Sequence, residues 1–107
     1  MVARVTLAEV DPVRQNPRTA IELFESSIVP ALHEQEGYEG CYVLLSPEGK
    51  ALVLTFWSSD ETARASRLSG FYSAQIEKLS DFVVFRAPPG REAYDVVVAR
   101  SPAHTTG

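Results

Sequence analysis

The sequence predicts an α+β fold of the ferredoxin-like type, with the order β-α-β-β-α-β and an added C-terminal strand. The segment from Gly37 to Glu61 contains a helix end, a β-hairpin and a helix start in that order. Helical spacing of apolar residues is found on both sides of this segment, and strand-like alternation is found near both ends of the chain. In such a fold, two helices cover one face of an antiparallel sheet.

The N-terminal third supplies the first strand and the first helix. Residues Val2 to Val10 alternate between an apolar face and a mixed face, which is typical of a strand. The dipeptide Asn16-Pro17 is suited to a helix start, and helical spacing then continues to about Gln35 or Glu36. Pro30 lies inside this pattern, so we expect a kink there or a helix that begins again near Val29.

The predicted hairpin is apolar on both faces. Gly37 is suited to ending the helix before it, and Ser46-Pro47-Glu48-Gly49 has the composition of a turn between strands Tyr38 to Leu45 and Ala51 to Trp57. In the first of these strands Cys41, Val43 and Leu45 lie opposite Tyr42 and Leu44. In the second, Val53, Thr55 and Trp57 lie opposite Leu52, Leu54 and Phe56. A strand that is apolar on both faces needs a cover on each of them.

A capping pattern predicts the start of the second helix. Ser58 stands three residues before Glu61, the spacing of a capping box, so the helix is expected to begin at Ser58 or Ser59. Gly70 is expected to break it, because glycine is unfavourable inside a helix. The carboxylates of this segment therefore have a structural interpretation.

The C-terminal part is predicted to hold two more strands. They are Phe82 to Ala87 and Tyr94 to Ala99, separated by the break Pro88-Pro89-Gly90. Residues 1–100 are predicted to form one domain, and residues 101–107 are predicted to form a flexible tail.

Composition narrows the classes of function. The 107 residues carry a net charge of −4 and scattered basic residues, which disfavours nucleic acid as a partner. No apolar run approaches the roughly 18 residues of a membrane span, and the N-terminus lacks a signal-peptide pattern. The single cysteine, Cys41, agrees with a reducing compartment. We therefore expect a soluble, cytoplasmic protein.

The uncovered apolar face of the sheet predicts a homodimer. Soluble monomers rarely expose large contiguous apolar patches, and two such sheets packed face to face form a two-fold symmetric barrel. The valine-rich fifth strand is expected to cross over and pair with the sheet of the partner, which would protect an edge.

With these elements the chain resembles the antibiotic biosynthesis monooxygenase domain superfamily of dimeric α+β barrels. The resemblance spans roughly residues 2 to 87. It is carried by the hairpin and by the segments Val29-Pro30-Ala31-Leu32, Gly37-Tyr38-Glu39-Gly40 and Leu54-Thr55-Phe56-Trp57-Ser58-Ser59-Asp60-Glu61. It implies fold more strongly than chemistry.

Of the two activities that the resemblance implies, haem degradation is disfavoured. The haem-degrading members carry an asparagine in the first strand, a second tryptophan in the second helix and an iron-binding histidine further along that helix. Here the first strand has no asparagine, the region around Ser66 has no tryptophan, and Ser73 to Glu77 holds no histidine. We accordingly expect no cofactor.

The other activity is oxidation of electron-rich aromatic phenols by O₂ without metal or flavin. The resemblance places Trp57 at the tryptophan position of the superfamily, and Tyr72 and Arg86 are the nearest candidates for a hydrogen-bond donor and a cation. Each also has a structural interpretation: Trp57 and Tyr72 as core residues, and Arg86 as a solvated or ion-paired side chain. A non-catalytic barrel that binds a small apolar ligand is the alternative function.

Three other reactive side chains favour structural roles. His33 lacks further ligands at metal-binding spacing, so no metal site is expected. His104 lies in the predicted tail, and Cys41 lies in an apolar strand with no cation close in sequence.

Overall fold

The computed structural model describes residues 1–10, 17–80, 83–85 and 92–100. The strands are β1 (Val2–Val10), β2 (Tyr38–Leu45), β3 (Lys50–Trp57), β4 (Val83–Phe85) and β5 (Glu92–Asp95), and the α-helices are α1 (Pro17–Leu23), α2 (Val29–His33), α3 (Asp60–Leu68) and α4 (Phe71–Ile76). They form one antiparallel sheet in the order β2-β3-β1-β4, with β5 also paired to β1. The predicted ferredoxin-like α+β fold is confirmed.

Several predicted features lie outside the described residues. They are the cap at Asn16, the ends of the predicted fourth strand at Phe82 and Ala87, the candidate Arg86, the break Pro88-Pro89-Gly90 and the tail at 101–107 with His104. In the part of the chain that the structure describes, no helix is long and apolar enough to cross a membrane.

The first helical region changes its winding before Pro30. A π-helical turn, Phe24–Ile28, separates α1 from α2, and the N–H of Val29 donates to the carbonyl of Phe24. Proline has no N–H for the carbonyl four residues earlier, and the wider turn precedes it. The predicted restart at Val29 is therefore confirmed, and the α-helix ends at His33, two or three residues earlier than predicted.

Two glycines close the connections around the hairpin as predicted. Gly37 and Gly49 have φ of 82° and 90°, the left-handed region that side chains disfavour. The N–H of Gly49 donates to the carbonyl of Ser46 at 3.0 Å, which closes the turn between β2 and β3. The carbonyl of Gly37 accepts from the N–H of Ser58 at 2.7 Å, which ties the end of β3 to the start of β2.

The helix cap lies one residue later than the predicted capping box. Ser59 is extended (φ −150°, ψ 163°), and its hydroxyl accepts from the N–H of Thr62 at 3.2 Å. The pairing of Ser58 and Glu61 is thus wrong, because β3 extends to Trp57 and the backbone N–H of Ser58 is already bound. The predicted break at Gly70 is confirmed: its φ of 81° separates α3 from α4.

Both C-terminal strands pair with the same edge of β1. Strand β4 pairs with Ala8 to Val10, and β5 pairs with Val2 to Val5. The predicted bounds of the fifth strand are wrong, because β5 ends at Asp95 and binds β1 of its own chain. Beyond it, the N–H of Val96 donates to the carbonyl of Met1, and Val97 is 88% exposed.

The core lies between the helices and one face of the sheet. Register places even-numbered residues of β1 and odd-numbered residues of β3 on this covered face. Its buried cluster comprises Val2, Ala20, Phe24, Ile28, Leu32, Val53, Trp57, Ala63, Tyr72, Ile76 and Leu79. The opposite, open face carries Leu7, Tyr42, Leu44, Val84 and Tyr94 as exposed large side chains, with Val5, Leu52, Leu54 and Phe56 half-buried between them.

Gly37→Ala should destabilise the protein more than Gly70→Ala. Both positions have the same left-handed φ, which costs an alanine about 1–2 kcal/mol. At Gly37 the added Cβ would also lie 2.5 Å from Cβ of Thr62, whereas at Gly70 nothing lies within 4 Å. We expect a further loss of about 1–3 kcal/mol for Gly37→Ala in urea unfolding. Equal losses would contradict the close approach of the two segments.

Candidate functional site

Four buried side chains form a polar and aromatic cluster on the covered face of the sheet. Thr6 is contributed by β1, Thr55 and Trp57 by β3, and Tyr72 by α4. The Nε1 of Trp57 donates to Oγ1 of Thr55 at 3.0 Å, and the hydroxyl of Tyr72 lies 2.9 Å from Oγ1 of Thr6. Trp57 is 1% exposed and Tyr72 is 2% exposed. Two of the three predicted site residues therefore meet in one buried cluster.

Strand pairing and a helix break position these groups. Residues i and i+2 of a strand share a face, so Thr55 and Trp57 both point towards the helices. The left-handed Gly70 begins a new helix, and Tyr72 and Ile76, one turn apart, are its buried residues. The sheet thus supplies two hydroxyls beneath one phenol.

The phenol of Tyr72 is held in its neutral form. Burial raises the pKa of Tyr72, and hydrogen bonds with Thr6 and Thr55 offset only part of this rise. Near neutral pH the group therefore carries its proton and is able to donate a hydrogen bond. A cation also acts on it: Arg4, on β1 and 6% exposed, is close enough to affect its titration.

A second aromatic group extends from Trp57 towards the surface. The ring of Tyr38 makes an edge contact with Trp57 at 5.7 Å between centroids, and His33 makes one with Tyr38 at 5.3 Å. Burial is the main cause of a raised pKa for Tyr38, and a hydrogen bond with Cys41 raises this pKa further. Cys41 and His33 therefore both contact Tyr38.

An apolar cavity of about 40 Å³ lies beside the cluster, between helices and sheet. Its described lining residues are Ala8, Val10, Ala20, Ile21, Phe24, Val43, Leu45, Ala51, Val53, Leu79 and Val83. Neither Trp57 nor Tyr72 belongs to this lining. A volume of this size holds a few water molecules and is too small for a fused-ring molecule.

Sequence reasoning missed the sheet hydroxyls and the buried cation. Arg4 and Thr6 alternate with apolar residues along the first strand and so lie on its mixed face. That mixed face is the buried one, because α3 packs over β1 and β3. The available signal was the pair of polar residues, Arg4 and Thr6, two positions apart on one face of the strand. The third predicted site residue, Arg86, lies outside the described residues.

The architecture matches solved structures of oxygenases. SnoaB, a cofactor-independent oxygenase from Streptomyces nogalater, superimposes with a TM-score of 0.66 at 13% identity, over 94% of each chain. A monooxygenase from the gene ActVA-Orf6 of Streptomyces coelicolor, in complex with nanaomycin D, gives a TM-score of 0.69 at 22% identity, over 94% of this chain and 91% of that one. This chain has the fold of the antibiotic biosynthesis monooxygenase superfamily.

The fold also occurs without an assigned activity. NE2512, a protein of unknown function from Nitrosomonas europaea, gives a TM-score of 0.64 at 19% identity, over 94% of this chain and 93% of that one. No protein-family model matches the chain, and no curated protein matches it. At these identities the likeness defines the fold, and the chemistry has to be argued from the residues.

Thr55→Val should destabilise the protein by about 1–3 kcal/mol, because it leaves the buried indole N–H of Trp57 unpaired. Trp57 is the only tryptophan, so its fluorescence reports on this bond directly. We expect a shifted emission maximum in Thr55→Val together with the loss of unfolding free energy. The control Thr55→Ser keeps the hydroxyl, and its emission should match the wild type. A shift of equal size in both variants would contradict the role of this hydrogen bond.

Proposed function

We propose that this chain is a cofactor-independent monooxygenase that oxidises a small, flat aromatic or quinol-type molecule with O₂. The observation that carries the proposal is the buried contact of the Tyr72 phenol with two sheet hydroxyls beside Trp57. The fold shared with cofactor-independent oxygenases supports it. Such a reaction needs a dry site and hydrogen-bond donors for charge that develops on oxygen.

The reaction draws its electrons from the substrate. A ring carbon that carries hydrogen, activated by a phenolate or enolate oxygen, gains one oxygen atom of O₂ and becomes a carbonyl. The second oxygen atom leaves as water with two hydrogens of the substrate, as in anthrone plus O₂ giving anthraquinone plus water. In the proposal Tyr72 donates to the substrate oxygen, Trp57 supplies an N–H and a ring face, and Arg86 supplies a cation.

The substrate binds where the core is now packed. The apolar cavity of about 40 Å³ marks the weakly filled part of the helix–sheet interface. A fused-ring molecule needs more room, so its binding requires that the covering helices separate from the sheet. The hydroxyl of Tyr72 and the indole N–H of Trp57 then leave their threonine partners and form hydrogen bonds with the substrate.

We further propose that the protein is a homodimer packed through the open face of the sheet. Tyr42, at 64% exposure, and Phe56 make an edge contact at 5.9 Å between ring centroids on this face, in a patch that none of the described helices covers. In this proposal the exposed Val97 and Val98, beyond β5, continue the strand onto the partner.

Oxygen uptake tests the catalytic proposal. With metal-chelated protein and anthrone, we expect enzyme-dependent consumption of one O₂ per anthraquinone formed. Tyr72→Phe removes the buried donor and should reduce kcat roughly a hundredfold, as the loss of one such donor does elsewhere. The control Tyr42→Phe removes an exposed hydroxyl from the open face and should leave the rate unchanged. No uptake above the uncatalysed rate with anthrone or dihydroxynaphthalenes would reject the enzyme.

Sedimentation equilibrium tests the dimer with a matched pair of variants. Leu44 and Leu45 are neighbours on β2 with 48% and 42% exposure, and they point to the open and the covered face respectively. We expect a wild-type dimer and a dissociation constant raised at least about tenfold in Leu44→Glu, because a charge would be buried in the interface. Leu45→Glu should remain dimeric. A wild-type monomer at micromolar concentration would reject the interface.

A second function, binding of a small apolar ligand without turnover, is favoured by the packing of the site. Trp57 and Tyr72 are both satisfied by threonine hydroxyls, and the walls of the cavity are apolar. Saturable binding of anthrone without O₂ consumption would support this function over the first.

A further inference from the structure

The apolar cavity beside the polar cluster offers water no hydrogen-bond partner among the residues that the structure describes. Its volume of about 40 Å³ admits a few water molecules, but its described surface is entirely apolar. A buried water molecule normally makes about three hydrogen bonds, whereas apolar cavities stay dry and take up apolar guests such as xenon. The described walls therefore suit a small apolar molecule better than water.

Small side chains on three elements create this space. Ala20 on α1, Ala8 on β1 and Ala51 on β3 all line the cavity. Ala8 and Ala51 are partners in the register of the two strands, so two methyl groups lie side by side on the covered face of the sheet. A larger side chain at any of these positions would occupy part of the cavity.

The cavity reaches the protein surface beside the hairpin. Ile21 on α1 and Val43 and Leu45 on β2 belong to its lining and are also exposed. Strand β2 is an edge strand of the described sheet. A small apolar molecule can therefore enter from solvent between α1 and β2, without separation of the helices from the sheet.

The inner end of the cavity adjoins the hydroxyl cluster. On β1, Ala8 lines the cavity and Thr6 contacts the phenol of Tyr72. On β3, Val53 lines the cavity and Thr55 accepts from Trp57. Residues two positions apart on a strand share a face and lie about 7 Å from each other. The cavity therefore begins one side chain away from the donors of the cluster.

We propose that this cavity binds O₂ and delivers it to an aromatic substrate held at the cluster of Tyr72 and Trp57. O₂ is small, uncharged and apolar, so its transfer from water to an apolar cavity is favourable. The inference rests on the proposed function for the use of O₂, and it adds the place where O₂ is held before it reacts. The two substrates then approach from different sides: O₂ between α1 and β2, and the aromatic molecule beside α4.

Methyl NMR under O₂ pressure, with N₂ at the same pressure as the reference, tests binding without any turnover. O₂ is paramagnetic, so a bound molecule accelerates the relaxation of methyl groups near it. We expect the acceleration at Ala8 and Ala20 to exceed that at Ala63 at least about threefold, because a dry apolar cavity concentrates an apolar gas. Ala63 is the matched control, since it is buried in the same core but does not line the cavity. Equal acceleration at the three residues, or none at Ala8 and Ala20, would overturn the proposal.

Filling the cavity tests delivery. In Ala51→Ile we expect the relaxation effect at Ala8 and Ala20 to disappear. With saturating anthrone, kcat/KM for O₂ should fall at least about fivefold while the KM for anthrone stays unchanged, because only the site for O₂ is lost. Ala93→Ile, at an exposed position of β5, is the control and should keep both properties. If Ala51→Ile does not fold, Ala20→Val fills the same cavity from the helix side.

The outcomes separate this proposal from the proposed function. Loss of the relaxation effect with an unchanged kcat/KM for O₂ would overturn delivery from the cavity, although the enzyme would stand. An absence of anthrone oxidation would reject the enzyme, and the comparison of Ala8 and Ala20 with Ala63 would still decide whether the cavity binds O₂.

Discussion

Side chains alternate along β3, and this alternation sends apolar groups to both faces of the sheet while helices cover only one of them. On the covered face, Val53 and Trp57 pack against the helices. On the open face, Leu54 and Phe56 stay half-buried beside residues that are exposed. The hydrophobic effect penalises such exposure in proportion to area. The asymmetry of one sheet therefore places the internal core on one face and leaves apolar surface on the other.

Polar groups inside the covered face impose a second constraint. The indole of Trp57 and the phenol of Tyr72 are buried and need hydrogen-bond partners. Trp57 donates to the hydroxyl of Thr55, and the phenol of Tyr72 is hydrogen-bonded with the hydroxyl of Thr6. A ligand that enters the interface has to replace these bonds. The exchange costs little when the ligand offers oxygen atoms in the same places, and it costs much when the ligand is purely apolar. In the proposed function, the cluster therefore favours oxygenated aromatic molecules over purely apolar ones.

Local chemistry made much of the fold predictable. The left-handed glycines at 37 and 49 and the restart after the proline at 30 follow from backbone sterics of single residues. The sequence predicts the helix cap one residue before its observed position at Ser59. The backbone N–H of Ser58 is not available for a capping box, because it donates to the carbonyl of the distant Gly37. The pairing of β5 with its own β1, and the packing of α3 over β1, depend on contacts far apart in sequence. Periodicity does not encode these contacts.

Tyr72 lies on α4, a helix with fewer local hydrogen bonds than its neighbour α3. Helix α4 has six residues, begins at Gly70 without a side-chain cap and continues into a 3₁₀ turn at Glu77–Leu79. Short helices owe their stability to packing more than to their own hydrogen bonds. Helix α3 is longer and is capped by Ser59. Displacement of α4 thus breaks fewer local bonds than displacement of α3, and it releases Tyr72 from Thr6 in the same movement. In the proposed function, access to the covered face and release of the Tyr72 hydroxyl would therefore be a single event.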